Sequence, residues 1–410
     1  SNGGVSVVKN LTHTTRSLPR SAGVANKIIT SSTPINTVQT ILNNLNPGDV
    51  VEFENGTYTG GIVINRSGTV ENPIYIRGRS RDGVVLSKSN GSIIQFQNAS
   101  NIIIENLSLR GSGVDSHNSA SSRGIEFWSG ASMQSRVTVR NVTMSGVDVG
   151  IKAYREVSEF LAYDNTLVGN NTWTASMIDT NATWNDDGIN ISGFGNSAFN
   201  NTLKGFGDSL ALDPQQWATD SVGIHFYRNE IISGGDDGFE GDGAHRNITY
   251  YDNRLTNTMT MISLDALFGG PLVAARNISI NTGRGPFKLN NKNAGQFIYN
   301  NTLIKTDSRS GWGWIQFNNG AQNSWGFRNN IFIYQGAGRL FGIESGGNDV
   351  IDFTHNSWYP NANVWWTNSG GSYNNISAAF AGLPAKTPVF SGSTRRHDQD
   401  NITEFNPWTS

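Results

Sequence analysis

The phrases IHFYRNEI (224–231), ITYYDNRL (248–255), VAARNISI (273–280) and FIYNNTLI (297–304) decide the fold. Each sets aromatic or aliphatic residues before an asparagine and aliphatic residues after it. The asparagines, Asn229, Asn253, Asn277 and Asn301, recur at intervals of 24 residues. Outward from this block the phrase returns as IIIENLSL, VTVRNVTM, LAYDNTLV and SAFNNTLK on one side and as WGFRNNIF and DFTHNSWY on the other. The asparagines to align are therefore 106, 141, 165, 201, 229, 253, 277, 301, 330 and 356. A period of this length is the mark of a solenoid. Within each unit the apolar residues alternate and Gly or Asn turns intervene, where a helical repeat would show a 3.6-residue period. The expectation is an all-β chain forming a single right-handed parallel β-helix. Stacked asparagines would hydrogen-bond backbone and one another at one corner of every coil.

The ends fit this reading. Val38, Ile41, Leu42 and Leu45 fall at i, i+3, i+4 and i+7, so residues 37–45 are expected to form a short amphipathic helix. Such a helix would cover the open end of the solenoid. After Pro360 the repeat is lost. The expected organisation is an N-terminal arm and capping helix over 1–48, the β-helix over 49–360, and an irregular C-terminal cap over 361–410.

The run NPGDVVEFENGTYTGGIVINRSGTVENPIYIRG (46–78), followed by SNIIIENLSLRG (100–111), resembles the first coils of the pectin-lyase-like superfamily of parallel β-helix proteins. It is similar to the opening of alginate lyases and chondroitinases of the β-helix type. The resemblance implies action on polysaccharides.

Composition narrows the alternatives. Charged residues make up 15% and hydrophobic residues 36%, including 20 Phe, 11 Trp and 11 Tyr, enough to fill a core and too many for a disordered chain. A formal charge of −2 gives no basic field for nucleic acid. The absence of cysteine excludes disulfides, thiolate metal sites and cysteine nucleophiles, and fits a bacterial extracytoplasmic protein better than a eukaryotic one. Asn-x-Ser/Thr triplets such as Asn141-Val-Thr are turn and ladder chemistry. No apolar run is long enough to span a membrane. The chain opens at Ser1 rather than Met, as a chain does after removal of a leader. A secreted, periplasmic or cell-surface monomer is expected.

Upstream of each asparagine lies a second repeated phrase: GIEFW, GIKAY, GINIS, SLALD, GFEGD, SLDAL, PFKLN, WIQFN and FGIES. Strand alternation turns its middle residue outward, giving the column Glu126, Lys152, Asn190, Ala211, Glu240, Asp265, Lys288, Gln316 and Glu344. Two residues on, also outward, come Trp128, Tyr154, Ser192, Asp213, Asp242, Leu267, Asn290 and Asn318. Three consecutive coils place an aspartate three residues before the middle position, in WNDDG, GFGDS and GGDDG. Asp187, Asp208 and Asp237 would then stack ~4.8 Å apart, where like charges repel unless a proton, a cation or a substrate lies among them. Any one of these aspartates alone is ordinary turn chemistry; the concentration, with Glu240, Asp242 and Asp265 beside it, points to a site.

Two carboxyls, one held protonated, perform glycoside hydrolysis. NDDGINI and GDSLAL resemble in order and spacing the aspartate phrases of polygalacturonase-type hydrolases, with Ser209 in place of a second aspartate and no Gly-His-Gly after them. The rival is β-elimination on a uronate, with Ca²⁺ on Asp208, Asp236, Asp237 and Glu240 and Lys288 as base. DDGFE followed by FKL resembles the calcium-dependent pectate lyases, although the coil bearing Asp265 intervenes. A hydrolase needs no cofactor and is slightly preferred, because an acid-rich face suits an anionic polymer poorly. The catalytic set is Asp187, Asp208, Asp237, Glu240, Asp242, Asp265 and Lys288. Glu126, Trp128, Lys152, Tyr154, Asp213, His245, Asn290 and Gln316 are expected to bind a polysaccharide or oligosaccharide. His225 is expected to be packed or hydrogen-bonded. His117 and the aromatic residues Trp184, Trp217, Trp312 and Trp314 are expected to flank the groove. A non-catalytic glycan-binding adhesin is the third reading.

Overall fold

The computed structural model describes residues 16–113, 122–130, 132–171, 186–212, 221–265, 270–290, 294–305, 315–318, 323–334, 341–343, 351–359, 364–366 and 371–373. Among the described residues the chain winds into a parallel β-solenoid of about ten turns with one short helix. Successive coils pair in parallel and nearly in register: Leu161–Tyr163 on Ser197–Phe199, that strand on His225–Tyr227, and His225–Tyr227 on Thr249–Tyr251. The interior is a continuous apolar column of Ile, Val, Leu and Phe, in which Phe96 stacks on Phe127 at 4.7 Å.

The asparagine corner is built as expected from Asn165 onward. In each step the next coil's Oδ1 accepts from both the backbone N and the Nδ2 of the asparagine before it. Eight residues are linked in this way, Asn165, Asn201, Asn229, Asn253, Asn277, Asn301, Asn330 and Asn356. The second Nδ2 proton goes back to a carbonyl of the preceding coil, as from Asn253 to Phe226 O at 3.0 Å. Every donor and acceptor of such an amide is used. Just before each asparagine stands a left-handed residue, including Arg228 at φ 54° and Arg276 at φ 56°. Non-glycine residues pay about 1–2 kcal/mol for that conformation, and the ladder offsets it.

Asn106 and Asn141 do not belong to the ladder. The strand register sets Arg140 against Tyr163 and Thr143 against Thr166, so Asn141 lies opposite Asp164 and Val142 opposite Asn165. Both asparagines occupy the left-handed position instead, at φ 61° and 50°. Buried Leu107 and Val142 fill the ladder position in those coils. Two adjacent corner positions both favour Asn, and the phrase alone does not separate them.

The helix spans Ile35–Asn43, two residues ahead of the expected 37–45, and buries Val38 and Leu42 against the first coil. Its Gln39 does the work of a strand residue. Nε2 donates to Val63 O and Oε1 accepts from Val63 N, both at 2.8 Å. The coils also run wider than 49–360. Lys27–Ile29, ahead of the helix, already pairs with Val51–Phe53, and Val364–Trp366 still pairs in parallel with Phe341–Ile343. Gly371–Tyr373 then turns back antiparallel and breaks the winding. Residues 374–410 lie outside the described residues.

On the outer wall Tyr163, Phe199, Tyr227 and Tyr251 stack face to face at 4.7–4.8 Å, one ring per coil. Beside them the N-terminal arm is strapped down by Arg16, which donates to the carbonyls of Val137, Arg136 and Glu159.

Candidate active site

The outward column forms in the order Gln95, Glu126, Lys152, Asn190, Ala211, Glu240, Ser263, Lys288, Gln316 and Gly342. Ser263 therefore takes the place expected for Asp265, which pairs with Asn290 two residues further along. The slip keeps the pleat, because Ile262 and Leu264 face the core in either alignment; a shift of two preserves every inward residue. Likewise Gly342, not Glu344, faces Gln316. Asp213, Glu344, His117, Trp184, Trp217, Trp312 and Trp314 lie outside the described residues, and for Asp265, Asn290 and Gln316 the backbone register alone is described.

Asp187 and Asp208 are paired in register, and the Asp237 backbone N donates to Asp208 Oδ1 at 3.2 Å. The aspartate and the middle residue three positions later both face outward because of the small residue between them. At Gly188 a Cβ would overlap core Leu203, and at Gly238 it would overlap core Leu255. That position points inward, the next residue points inward as well, and the parity of the strand flips at this corner. A register shift between Gly234 and Asp237 marks the same place. Asp237 and Glu240 are thereby brought onto one side.

Carboxylate oxygens of Asp208, Asp237 and Glu240 lie within 4.8 Å of one another. Asp237 is 1% exposed and Asp208 7%. Lys288 reaches across the Ser263 coil to Asp237 Oδ2 at 3.4 Å, while among the described residues Asp237 Oδ1 has no partner at hydrogen-bonding geometry. The three acids separate electrostatically. Burial, then Asp236, Asp237 and Asp187, push Asp208 well above the usual carboxylate range. Burial, then Asp242, Asp208 and Asp237, do the same to Glu240. Burial would raise Asp237 too, but the Lys288 charge and the nearby polar hydrogens of Glu240 and Thr260 hold it below the usual range. Lys288 is raised by the Asp237 charge, against its own burial, with Glu240, Asp236 and Asp242 adding to the effect. It is a fixed cation, and the lowered pKa that a lysine base requires is the reverse of what surrounds it.

Ser263 Oγ donates to Asp242 Oδ1 at 3.3 Å. Two coils towards the N-terminus, Lys152 pairs with Asp187 at 3.3 Å, and Asn190 Nδ2 donates to the same oxygen at 2.8 Å. Glu126, buried, accepts from Ser92 Oγ and from Tyr154 OH at 3.2 Å, and pairs with Arg123 at 3.3 Å. Glu126, Lys152 and Tyr154 are thus engaged with one another's neighbours, whereas Trp128 presents half of its surface to solvent. His245 is half-buried in the turn after Asp242, and no ion pair or hydrogen bond joins it to the carboxylates among the described residues. His225 is hydrogen-bonded through Nδ1 to Thr249 Oγ1 at 2.7 Å. Thr260 and Ser263, beneath and beside the acids, were missed in the sequence; aligning MISLD one pleat earlier places both.

No family model matches the chain, and no curated protein is similar to it in sequence. Solved structures share its winding. A surface adhesin of Streptococcus pneumoniae, PfbA, superposes with a TM-score of 0.56 at 12% identity, over 84% of this chain and 91% of that one. The catalytic unit of a thermostable GH87 α-1,3-glucanase from Streptomyces thermodiastaticus gives 0.55 at 13% identity, over 82% of this chain and 64% of the glucanase. The DFA-IIIase of Arthrobacter chlorophenolicus gives 0.51 at 10% identity, over 82% and 95%. At these identities the likeness is one of fold, a parallel β-solenoid.

Proposed function

We propose that the chain is a secreted glycoside hydrolase that cleaves a polysaccharide lying across the Asp187–Lys288 coils. The observation that carries this reading is the trio of buried Asp208 and Asp237 with half-buried Glu240. The three carboxyls lie within 4.8 Å of one another, and their environments push one down and two up. Pairs of acids driven apart in this way are how carbohydrate-cleaving sites divide the work. Asp237, ionised beside Lys288, serves as nucleophile or base. The proton held between Asp208 and Glu240 is delivered to the leaving oxygen, the two titrating as a coupled pair. Trp128 offers a plane for a sugar ring away from the reaction centre.

Ca²⁺-assisted elimination is the weaker reading. Asp208, Asp237 and Glu240 are hard oxygen ligands close enough to share a Ca²⁺. Lys288 already neutralises Asp237, and a lysine held protonated is a poor base for carbon. Among the described residues no helix is long and apolar enough to cross a membrane.

The test is incubation of the full chain with a polysaccharide panel, following reducing ends and unsaturated-uronate absorbance separately, with and without chelator. Reducing ends without that absorbance, unaffected by chelation and lost in Asp237→Asn, are expected. Unsaturated products, or an Asp237→Asn variant of full activity, would overturn the hydrolase assignment.

A further inference from the structure

Three cations described on the groove face are committed before any substrate arrives. Among side chains described on this face, Arg123 lies 3.3 Å from Glu126, Lys152 3.3 Å from Asp187, and Lys288 3.4 Å from Asp237. None of the three is more than about a third exposed, and their partners are more deeply covered still. The same coils carry Asp186, Asp208, Asp236, Glu240 and Asp242 in addition. A polymer bearing a carboxylate on every sugar would therefore meet acids, and the lysines that would recognise it are turned onto the protein's own carboxylates. Sugar hydroxyls, by contrast, are donors that a face rich in carboxylate acceptors can bind in pairs, and the half-exposed Trp128 suits the apolar face of a ring.

We infer that the groove takes an uncharged glycan and excludes uronate polymers, an inference that rests on the glycan-cleaving reading of the same site. It names the substrate class through three internal ion pairs, Arg123–Glu126, Lys152–Asp187 and Lys288–Asp237.

The experiment is affinity electrophoresis of the full chain through gels containing neutral glucans, galactans or fructans, or containing polygalacturonate or alginate, at low and at physiological salt. Reducing ends are measured on the same polymers. Retardation by at least one neutral glycan and by neither uronate is expected. Retardation by a uronate overturns the inference even if neutral glycans are cleaved, and retardation by none of them counts against it too. Retardation by a neutral glycan without any cleavage leaves the inference standing and removes the hydrolase reading, so the two fail separately. Asp187→Asn removes the charge that Lys152 pairs with, and this variant is expected to bind a galacturonate oligomer about tenfold more tightly than the parent, an effect that salt weakens. No gain in that variant would show that the Lys152–Asp187 pair is not what sets the preference.

Discussion

Two columns of side chains run along this solenoid, and the same stacking serves them in opposite ways. At one corner asparagines lie one per coil, Nδ2 to Oδ1 at 3.0 Å, neutral and fully bonded. On the groove face aspartates lie one per coil at Asp187, Asp208 and Asp237, buried to a similar degree. An amide is donor and acceptor at once, so a stack of amides satisfies itself at any length. A carboxylate only accepts, and a stack of carboxylates stays incomplete until a proton or a cation joins it. Here the raised proton affinity of Asp208 and Glu240 and the ammonium of Lys288 answer that need. One column satisfies itself, and the other is satisfied only with a partner, which the proposed hydrolysis would use.

The largest expected effect breaks the acidic column at its ionised member. Asp237→Asn should lower turnover by about 10³–10⁴-fold while leaving a cooperative unfolding transition, checked by reducing-end assay and circular dichroism. Next comes the ladder. Asn253→Ala strands the Phe226 carbonyl and two protons of Asn229, and should cost about 3–5 kcal/mol in denaturant titration. Asn253→Asp converts one rung of the ladder into the other column's chemistry. An acid whose folded pKa is raised is harmless below the unfolded value of about 3.9 and destabilises as pH climbs through the raised value. The melting temperature of that variant should therefore fall with rising pH relative to the parent.

Lys288→Met sharpens the contrast more gently. Without its cation Asp237 rises, so the acid limb of the pH–rate profile should move up by about 1–2 pH units. Smallest is Asp208→Asn, which replaces a proton-dependent rung by a neutral one. Because Asp208 is raised in the folded state, the variant should gain about 1 kcal/mol or more at neutral pH and nothing below about pH 4. A variant no more stable than the parent at neutral pH would show that the column is not repulsive.

The solenoid was legible because its period, its asparagines and its inward aliphatics are all local. The acidic stack was legible too, since Asp187, Asp208 and Asp237 each stand three residues before the outward middle residue of their phrase. What one sequence does not carry is the choice between adjacent corner positions that tolerate the same residue, hence Asn106 and Asn141. It also does not resolve a two-residue slip that preserves the pleat, hence Asp265 in place of Ser263. Partnerships across coils were the least visible. Nothing in GPFKLNN says that Lys288 reaches Asp237, 51 residues earlier, and that one contact turns a candidate base into a permanent counter-charge.

Gln39 has a consequence for how the molecule is made. By offering Val63 both a donor and an acceptor, the helix gives the first full coil the partner it would otherwise seek from another chain. Winding is then open in one direction only, away from the N-terminus. That is the order in which a ribosome delivers the coils, so each new turn can pair with one that precedes it. A seal of two hydrogen bonds gives the assembly its direction.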